Sequence, residues 1–334
     1  MILVHVGLGK TATTTLQRYI FPRIAEFLSE FKYNDKKIMR LAEKYHYFNL
    51  NRKEMMEFKS YLYECENILI SNESLVDWNP HNWEQAADKN LELFGKDSSI
   101  LITVREPEEY FTSVYLQSLH EGNIKYPEDF FISSEIYHAI EKDLKRSCLE
   151  YLDINSFSLE RLYNLYSSRF KKVFFVPLEH VGRLEFLSES FAIHDSDFSL
   201  LVKIFNESKR ENIAYSKSAV HLTFIRENIL RRFGLKTLGS HDASTLSIYH
   251  NLSSEVTINN INIPFNELSF LSKIQAIPWR IMNKILVKTG WRYLMQSIVN
   301  NYFPYKKYKL PEGFFSEDYD VIMKNRKYLR KWLS

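Results

Sequence analysis

Two rhythms of apolar and polar positions run through the first half of the chain. Short continuous apolar runs at residues 2–6, 67–71, 99–104 and 172–176 have the length and side chains of strands buried on both faces. Between them apolar residues recur every three or four positions, which predicts helices over 12–20, 35–46, 52–64, 83–94, 107–120, 135–151 and 158–170. Gly95 is a natural stop for one of these helices and Pro107 a natural start for the next. Strands alternating with helices imply a parallel α/β sheet, and such sheets hold ligands at the carboxyl ends of their strands. His5, Glu73 and Arg105 stand at or close to those ends. From about Asn206 the strand signal fades. Residues 215–233 read as a long helix, 239–262 as turn-rich and polar, 278–304 as basic and aromatic, and 318–333 as a final helix. No linker rich in proline, glycine or serine separates the two parts, so 206–334 is expected as a mostly helical extension packed on a core of 1–205.

The first strand runs into Gly7-Leu8-Gly9-Lys10-Thr11-Ala12-Thr13-Thr14-Thr15. Glycines let the backbone turn and approach a ligand closely. The start of the following helix carries unpaired N–H groups and a partial positive charge, which makes it an anion site. Lys10 adds a full charge and the threonines add hydroxyls. Gly9-Lys10-Thr11 matches the end of the Walker pattern G-x-x-x-x-G-K-S/T, but its first glycine would fall at Val4, inside the strand. The fold expected is therefore α/β and P-loop-like, with a loop too short to wrap a triphosphate and long enough to hold one phosphate. A Thr-rich helix cap that binds nothing has the same composition.

The run from His5 to Gln17 resembles the 5′-phosphosulfate loop of sulfotransferases that use 3′-phosphoadenosine 5′-phosphosulfate (PAPS), whose usual form is Lys-x-Gly-Thr-Thr/Ser-x-Leu after a strand. Ala12 stands where glycine is usual, and alanine fits there if that residue is already helical. The resemblance implies donor contacts from Lys10, Thr11, Ala12, Thr13, Thr14 and Thr15. Arg105-Glu106-Pro107 follows the third predicted strand, with Ser113 eight residues after Arg105. A guanidinium fork suits a phosphate dianion, and a serine hydroxyl adds a further donor. This Arg-x-Pro and its distant serine resemble the family's 3′-phosphate site; a sheet-edge arginine and a solvated serine are the plainer account. Glu73, in Ser71-Asn72-Glu73, matches a glutamate that serves as base in several branches of the superfamily. It could equally sit in the first turn of a helix capped by Ser71 or Asn72. Other branches use histidine, and His5, His81 and His120 are the local candidates.

The implied reaction is transfer of a sulfuryl group from PAPS to an acceptor hydroxyl, with adenosine 3′,5′-bisphosphate as product. Lys10 and Glu73 would be the catalytic residues, no metal is required, and the acceptor is expected to be a carbohydrate or glycan, with the C-terminal part contributing to its site. A small-molecule or sugar kinase and an inactive glycan-binding relative are the alternatives. Net charge is only +3, with 25% charged and 45% hydrophobic residues, which suits a soluble globular chain and argues against nucleic acid as a partner. Two cysteines, Cys65 and Cys148, make no disulfide framework. No apolar run reaches the roughly 18 residues of a membrane span, and no signal peptide is evident, so a cytoplasmic protein is expected. From Lys273 to Lys331, however, Lys and Arg exceed Asp and Glu by nine, with Trp279, Trp291, Tyr302, Phe303 and Tyr305 interleaved. Such a segment can lie on an anionic membrane, form a solvated face over core aromatics, or meet an anionic acceptor or the donor's phosphates through Lys306 and Lys307.

Overall fold

The computed structural model describes residues 1–47, 49–64, 66–120, 123–140, 151–208, 215–233, 255–258, 261–264, 299, 301–316 and 318–333. Cys65, Cys148, the end of the helix expected over 135–151, and the basic segment from Lys273 to Arg292 lie outside them. By contacts the chain divides into two compact units. One comprises Met1–Phe111, Asp153–Ile213 and Phe315–Ser334; the other comprises Thr112–Leu152 and Ala214–Phe314.

The first unit is built on a five-stranded sheet: β1 Ile2–His5, β2 Phe31–Tyr33, β3 Asn67–Ser71, β4 Ser99–Val104 and β5 Lys172–Pro177. Its order is β2-β3-β1-β4-β5 and every pairing is parallel. The fold is thus α/β, a parallel sheet flanked by helices. The four strands expected from continuous apolar runs are present, and β4 is buried at all six positions. The edge strand β2 was not anticipated, because Phe31-Lys32-Tyr33 is too short to show a period.

One face of the sheet is covered by the segment that follows β1. Leu3, Leu69 and Leu101 meet Leu16, Ile20, Phe21 and Ile24 in a fully buried cluster. That segment is not the α-helix expected over 12–20. It is α-helical only over Thr13–Thr15 (α1), then widens to a π-helix over Leu16–Ile20 and tightens to a 3-10 helix over Phe21–Glu26. In the widened turn the Phe21 N–H donates to Leu16 C=O. Pro22 accounts for the departure: it has no N–H to give, and its ring would strike the carbonyl four residues back in a regular α-helix.

Further helices are α2 Lys36–Tyr47, α3 Arg52–Tyr63, α4 Trp83–Phe94, α5 Pro107–His120, α6 Leu159–Ser167, α7 Asp195–Glu207, α8 Lys217–Arg232 and α9 Tyr319–Arg330. Helix α3 has a full capping box between Asn51 and Glu54, and α4 stops at Gly95, whose φ is 79°. Helix α7 escaped the sequence reading, although the spacing of Phe198, Leu201, Val202 and Phe205 carries its signal. In the second unit, β6 Glu255–Ile258 and β7 Ile261–Pro264 form an antiparallel hairpin that begins inside the stretch expected to be turn-rich and ends just past it. No described helix is long and apolar enough to cross a membrane.

Helix α9 belongs to the first unit and is fixed there by polar contacts. The buried Asn325 side chain accepts from Leu159 N–H at 2.6 Å and donates to Phe157 C=O at 3.1 Å. Arg326 pairs with Glu106 at 2.6 Å and with Glu108 at 3.0 Å, at the start of α5. Asn325→Leu would fill the volume but leave the Leu159 and Phe157 backbone groups unpaired, at a cost of about 1–3 kcal/mol each. Urea unfolding should show this loss; a change below about 0.5 kcal/mol would refute the bridging role.

Candidate functional site

Strand β1 feeds β2 on one side of the sheet, while its neighbour β4 feeds β5 on the other. Connections that diverge from adjacent strands open a crevice at their carboxyl ends. The β1 loop enters that crevice zipped to β4: Val6 N–H donates to Leu101 C=O at 2.9 Å, and Leu8 N–H to Thr103 C=O at 3.0 Å. The chain then reverses at Lys10 (φ 71°) and Ala12 (φ 63°). The sharp turn expected of the glycines is therefore made by other residues. Gly7 and Gly9 serve close approach. A Cβ on Gly7 would lie 2.0 Å from Thr103 Oγ1 and 2.5 Å from His5 Nε2, and one on Gly9 would lie 1.9 Å from the Trp78 indole. Ala12 is not helical, as its fit had required, but left-handed, with φ 63° and ψ 12° ahead of the first turn of α1. A left-handed residue followed by a right-handed one turns successive N–H groups toward one side, a concavity that favours anions.

A buried chain of hydrogen bonds holds the loop from beneath. Thr11 Oγ1 donates to Leu8 C=O at 2.5 Å and so must accept from Thr103 Oγ1, 2.6 Å away. Thr103 has then spent its proton and accepts from His5 Nε2 at 3.1 Å. His5 Nδ1 is left as an acceptor and takes the Ser71 hydroxyl proton at 2.8 Å, while Ser71 Oγ accepts from Gln17 Nε2 at 3.0 Å. By elimination the ring carries its proton on Nε2. Burial lowers the His5 pKa to about 3. With both ring nitrogens engaged and no exposure, His5 serves the scaffold.

Above this chain, Lys10, Thr13 and Glu73 come together. Glu73 opens a single 3-10 turn, Glu73–Leu75, capped by Asn72, whose Oδ1 accepts from Ser74 N–H at 2.9 Å. The cap expected from sequence is present, while the Glu73 carboxyl faces the loop. Burial raises its pKa, and the Thr13 hydroxyl and the Lys10 charge pull it partly back. Thr13 Oγ1 is buried without a hydrogen bond of regular geometry. Thr14 and Thr15 are half-buried. The Thr11 hydroxyl is turned inward, which leaves its backbone as the part that can face a ligand.

Arg105 joins the same loop from the end of β4. Its Nη1 donates to Lys10 C=O at 3.1 Å, its Nη2 pairs with Glu109, and its Nε is buried with no partner. Ser113 lies half-buried farther along α5, in the second unit. Of the other histidine candidates, His81 Nε2 is 2.9 Å from the buried Asp153 Oδ2, and the His120 side chain lies outside the described residues. Thr103, Trp78 and Glu109 were not singled out from sequence, and Ser71 only as a possible helix cap. Only Glu109 carried a local signal, its spacing of four from Arg105 along α5.

Two measurements probe this geometry. Ala12→Gly removes a left-handed strain of about 1–2 kcal/mol but adds unfolded-state entropy of about 0.5–1 kcal/mol, so a small net stabilisation is expected in urea unfolding. Clear destabilisation would mean that Ala12 is not left-handed in solution. For His5 the folded pKa of about 3 lies below the ordinary 6.5, so protonation favours the unfolded chain. The neutral ring's stability is fully present above pH 6.5 and falls by about 1.4 kcal/mol per pH unit below it. His46, lowered to about 4 by burial beside Asn90, acts in the same direction. Nitrogen shifts of the His5 ring should show the Nε2–H tautomer down to about pH 5. A midpoint near 6.5 would exclude the buried chain.

No family model matches the chain, and no curated protein does. Among solved structures it is similar to the crystal structure of a sulfotransferase from Alicyclobacillus acidocaldarius, with 13% identity and a TM-score of 0.34 over 75% of this chain and 93% of that one. At that distance the likeness decides nothing about function, which rests on the residues of the site.

Proposed function

We propose that the chain is a sulfotransferase that moves a sulfuryl group from PAPS to a hydroxyl of an acceptor, a carbohydrate by preference. The observation that carries this reading is the convergence of Lys10, Thr13 and Glu73 at the end of β1, with Arg105 bonded to the Lys10 carbonyl beside them. The residues fit an anionic donor. Thr13 Oγ1 and Arg105 Nε are buried polar atoms without regular partners, and the backbone at Ala12–Thr13 is concave toward an anion. Lys10, Thr11 and the Ala12–Thr15 segment would hold the 5′-phosphosulfate end. Arg105, after exchanging or sharing its contact with Glu109, would hold the 3′-phosphate.

In the reaction an acceptor oxygen bonds to sulfur as the bond from sulfur to the bridging phosphate oxygen breaks. Lys10 balances the negative charge that collects on that oxygen. Glu73 takes the hydroxyl proton, and its raised pKa makes it a stronger base than an exposed glutamate. Positioning supplies the rest, as in phosphoryl transfer.

Thermal shift separates this reading from a kinase. Adenosine 3′,5′-bisphosphate should raise the melting temperature well beyond the effect of ATP with magnesium, and the reverse order would sink the proposal. Lys10→Ala should remove nearly all turnover. Glu73→Gln should leave bisphosphate affinity unchanged and lower turnover by about 10²–10⁴. If Glu73→Gln instead unfolds readily while its folded fraction keeps full activity, Glu73 is structural.

A further inference from the structure

The second unit carries an exposed aromatic and cationic strip. Residues 301–309 bring Tyr302, Phe303 and Tyr305 to the surface, 79%, 48% and 45% exposed. Lys306, Lys307 and Lys309 follow directly and are also exposed. The segment has a defined seat. Phe303 N–H closes a turn on Val299 C=O at 2.8 Å, Lys217 N–H donates to Lys306 C=O at 2.8 Å, and Ser216 and Lys307 form an antiparallel bridge. The Tyr308 ring packs inward, 6.1 Å from that of Tyr115. Tyr308 is half-buried next to the bridge to the start of α8, while the three earlier rings are exposed. Lys217, exposed at that start, adds a fourth ammonium. Neither 215–226 nor 299–311 contains a single Asp or Glu, although the chain has 41 of them.

We infer that this aromatic and cationic strip seats the protein on an anionic lipid bilayer. Large rings left in water lose the hydrophobic gain they would have if buried, and a headgroup boundary restores it. Tyr302 and Tyr305 can bury a ring and keep the hydroxyl wet, as interfacial tyrosines do. Phe303 has no polar group and gains only from the acyl region. The four lysines are complementary to acidic headgroups, and their stems can lie along the boundary while the ammonium groups reach phosphate. A soluble polyanion would use the lysines equally well but gives Phe303 no such return, so the rings favour a bilayer.

The test uses the full chain and sedimentation with phosphatidylcholine vesicles, with and without phosphatidylglycerol. The wild type should bind only the acidic vesicles, and less at high salt. Each lysine near the surface should contribute about fivefold to partitioning, so joint substitution of Lys306, Lys307 and Lys309 by Gln should abolish detectable binding. Joint substitution of Tyr302, Phe303 and Tyr305 by Ser should weaken binding at least tenfold while leaving the melting temperature unchanged, an order-of-magnitude expectation from the buried ring area. Three results would overturn the inference: no binding of the wild type to acidic vesicles, binding indifferent to the lysines, or binding indifferent to the rings. The last, together with equal affinity for a soluble polyanion, would reassign the strip to that class. Nucleotide binding at Lys10 is read separately by thermal shift, so failure here leaves the proposed activity standing, and the converse.

Discussion

A neutral imidazole, buried between three strands, sets the position of everything at the sheet's carboxyl edge. His5 ends β1, and its ring reaches Ser71 on β3 with one nitrogen and Thr103 on β4 with the other. A neutral ring offers one donor and one acceptor, so it can join two hydroxyls only if each is oriented by a further partner. Gln17 supplies that partner on one side, and Thr11 with the Leu8 carbonyl supplies it on the other. The loop that carries Lys10 is thus bound to the sheet through the same ring that registers β1 against its neighbours. Gly7 is part of this arrangement, because a methyl group there would occupy the space of the His5–Thr103 contact.

On this base the site places opposite charges close together in a half-buried setting. Lys10 and Arg105 bring two cations to one loop, while Glu73 and Glu109 bring two carboxylates. The pairs are not equivalent. Glu109 is 49% exposed and sits on a guanidinium, an arrangement of modest strength that can be exchanged. Glu73 is held where water is scarce, and the Lys10 charge only partly offsets that burial. One carboxylate therefore suits exchange with an incoming anion and the other suits taking a proton.

The parts legible in the sequence were those written in local pattern. Continuous apolar runs marked four of the five strands, and polar residues just beyond their ends marked Lys10, Glu73 and Arg105. The rest depended on distance through space. Edge strand β2 has three residues and gains its identity only by pairing with β3. Ser71 and Thr103 look like ordinary strand ends, and their role needs His5 between them. At Ala12 a helical backbone was expected where glycine is usual, yet the residue is left-handed, which follows from the reversal at Lys10 and the entry into α1. The first helix failed as an α-helix for a reason that was in plain sight, Pro22, whose effect reaches back a full turn.

The contacts of α9 bear on how the molecule is made. The unit that holds the loop is discontinuous in sequence, and its last piece, Phe315–Ser334, delivers Asn325 to the backbone before α6 and Arg326 to the acidic start of α5. During synthesis the strands and the loop leave the ribosome early, but the helix following Arg105 lacks its countercharge until residues near 326 have emerged. Contacts of such long sequence separation form late and slowly. The nascent chain therefore presents the loop before the acidic start of α5 has gained its partner on α9.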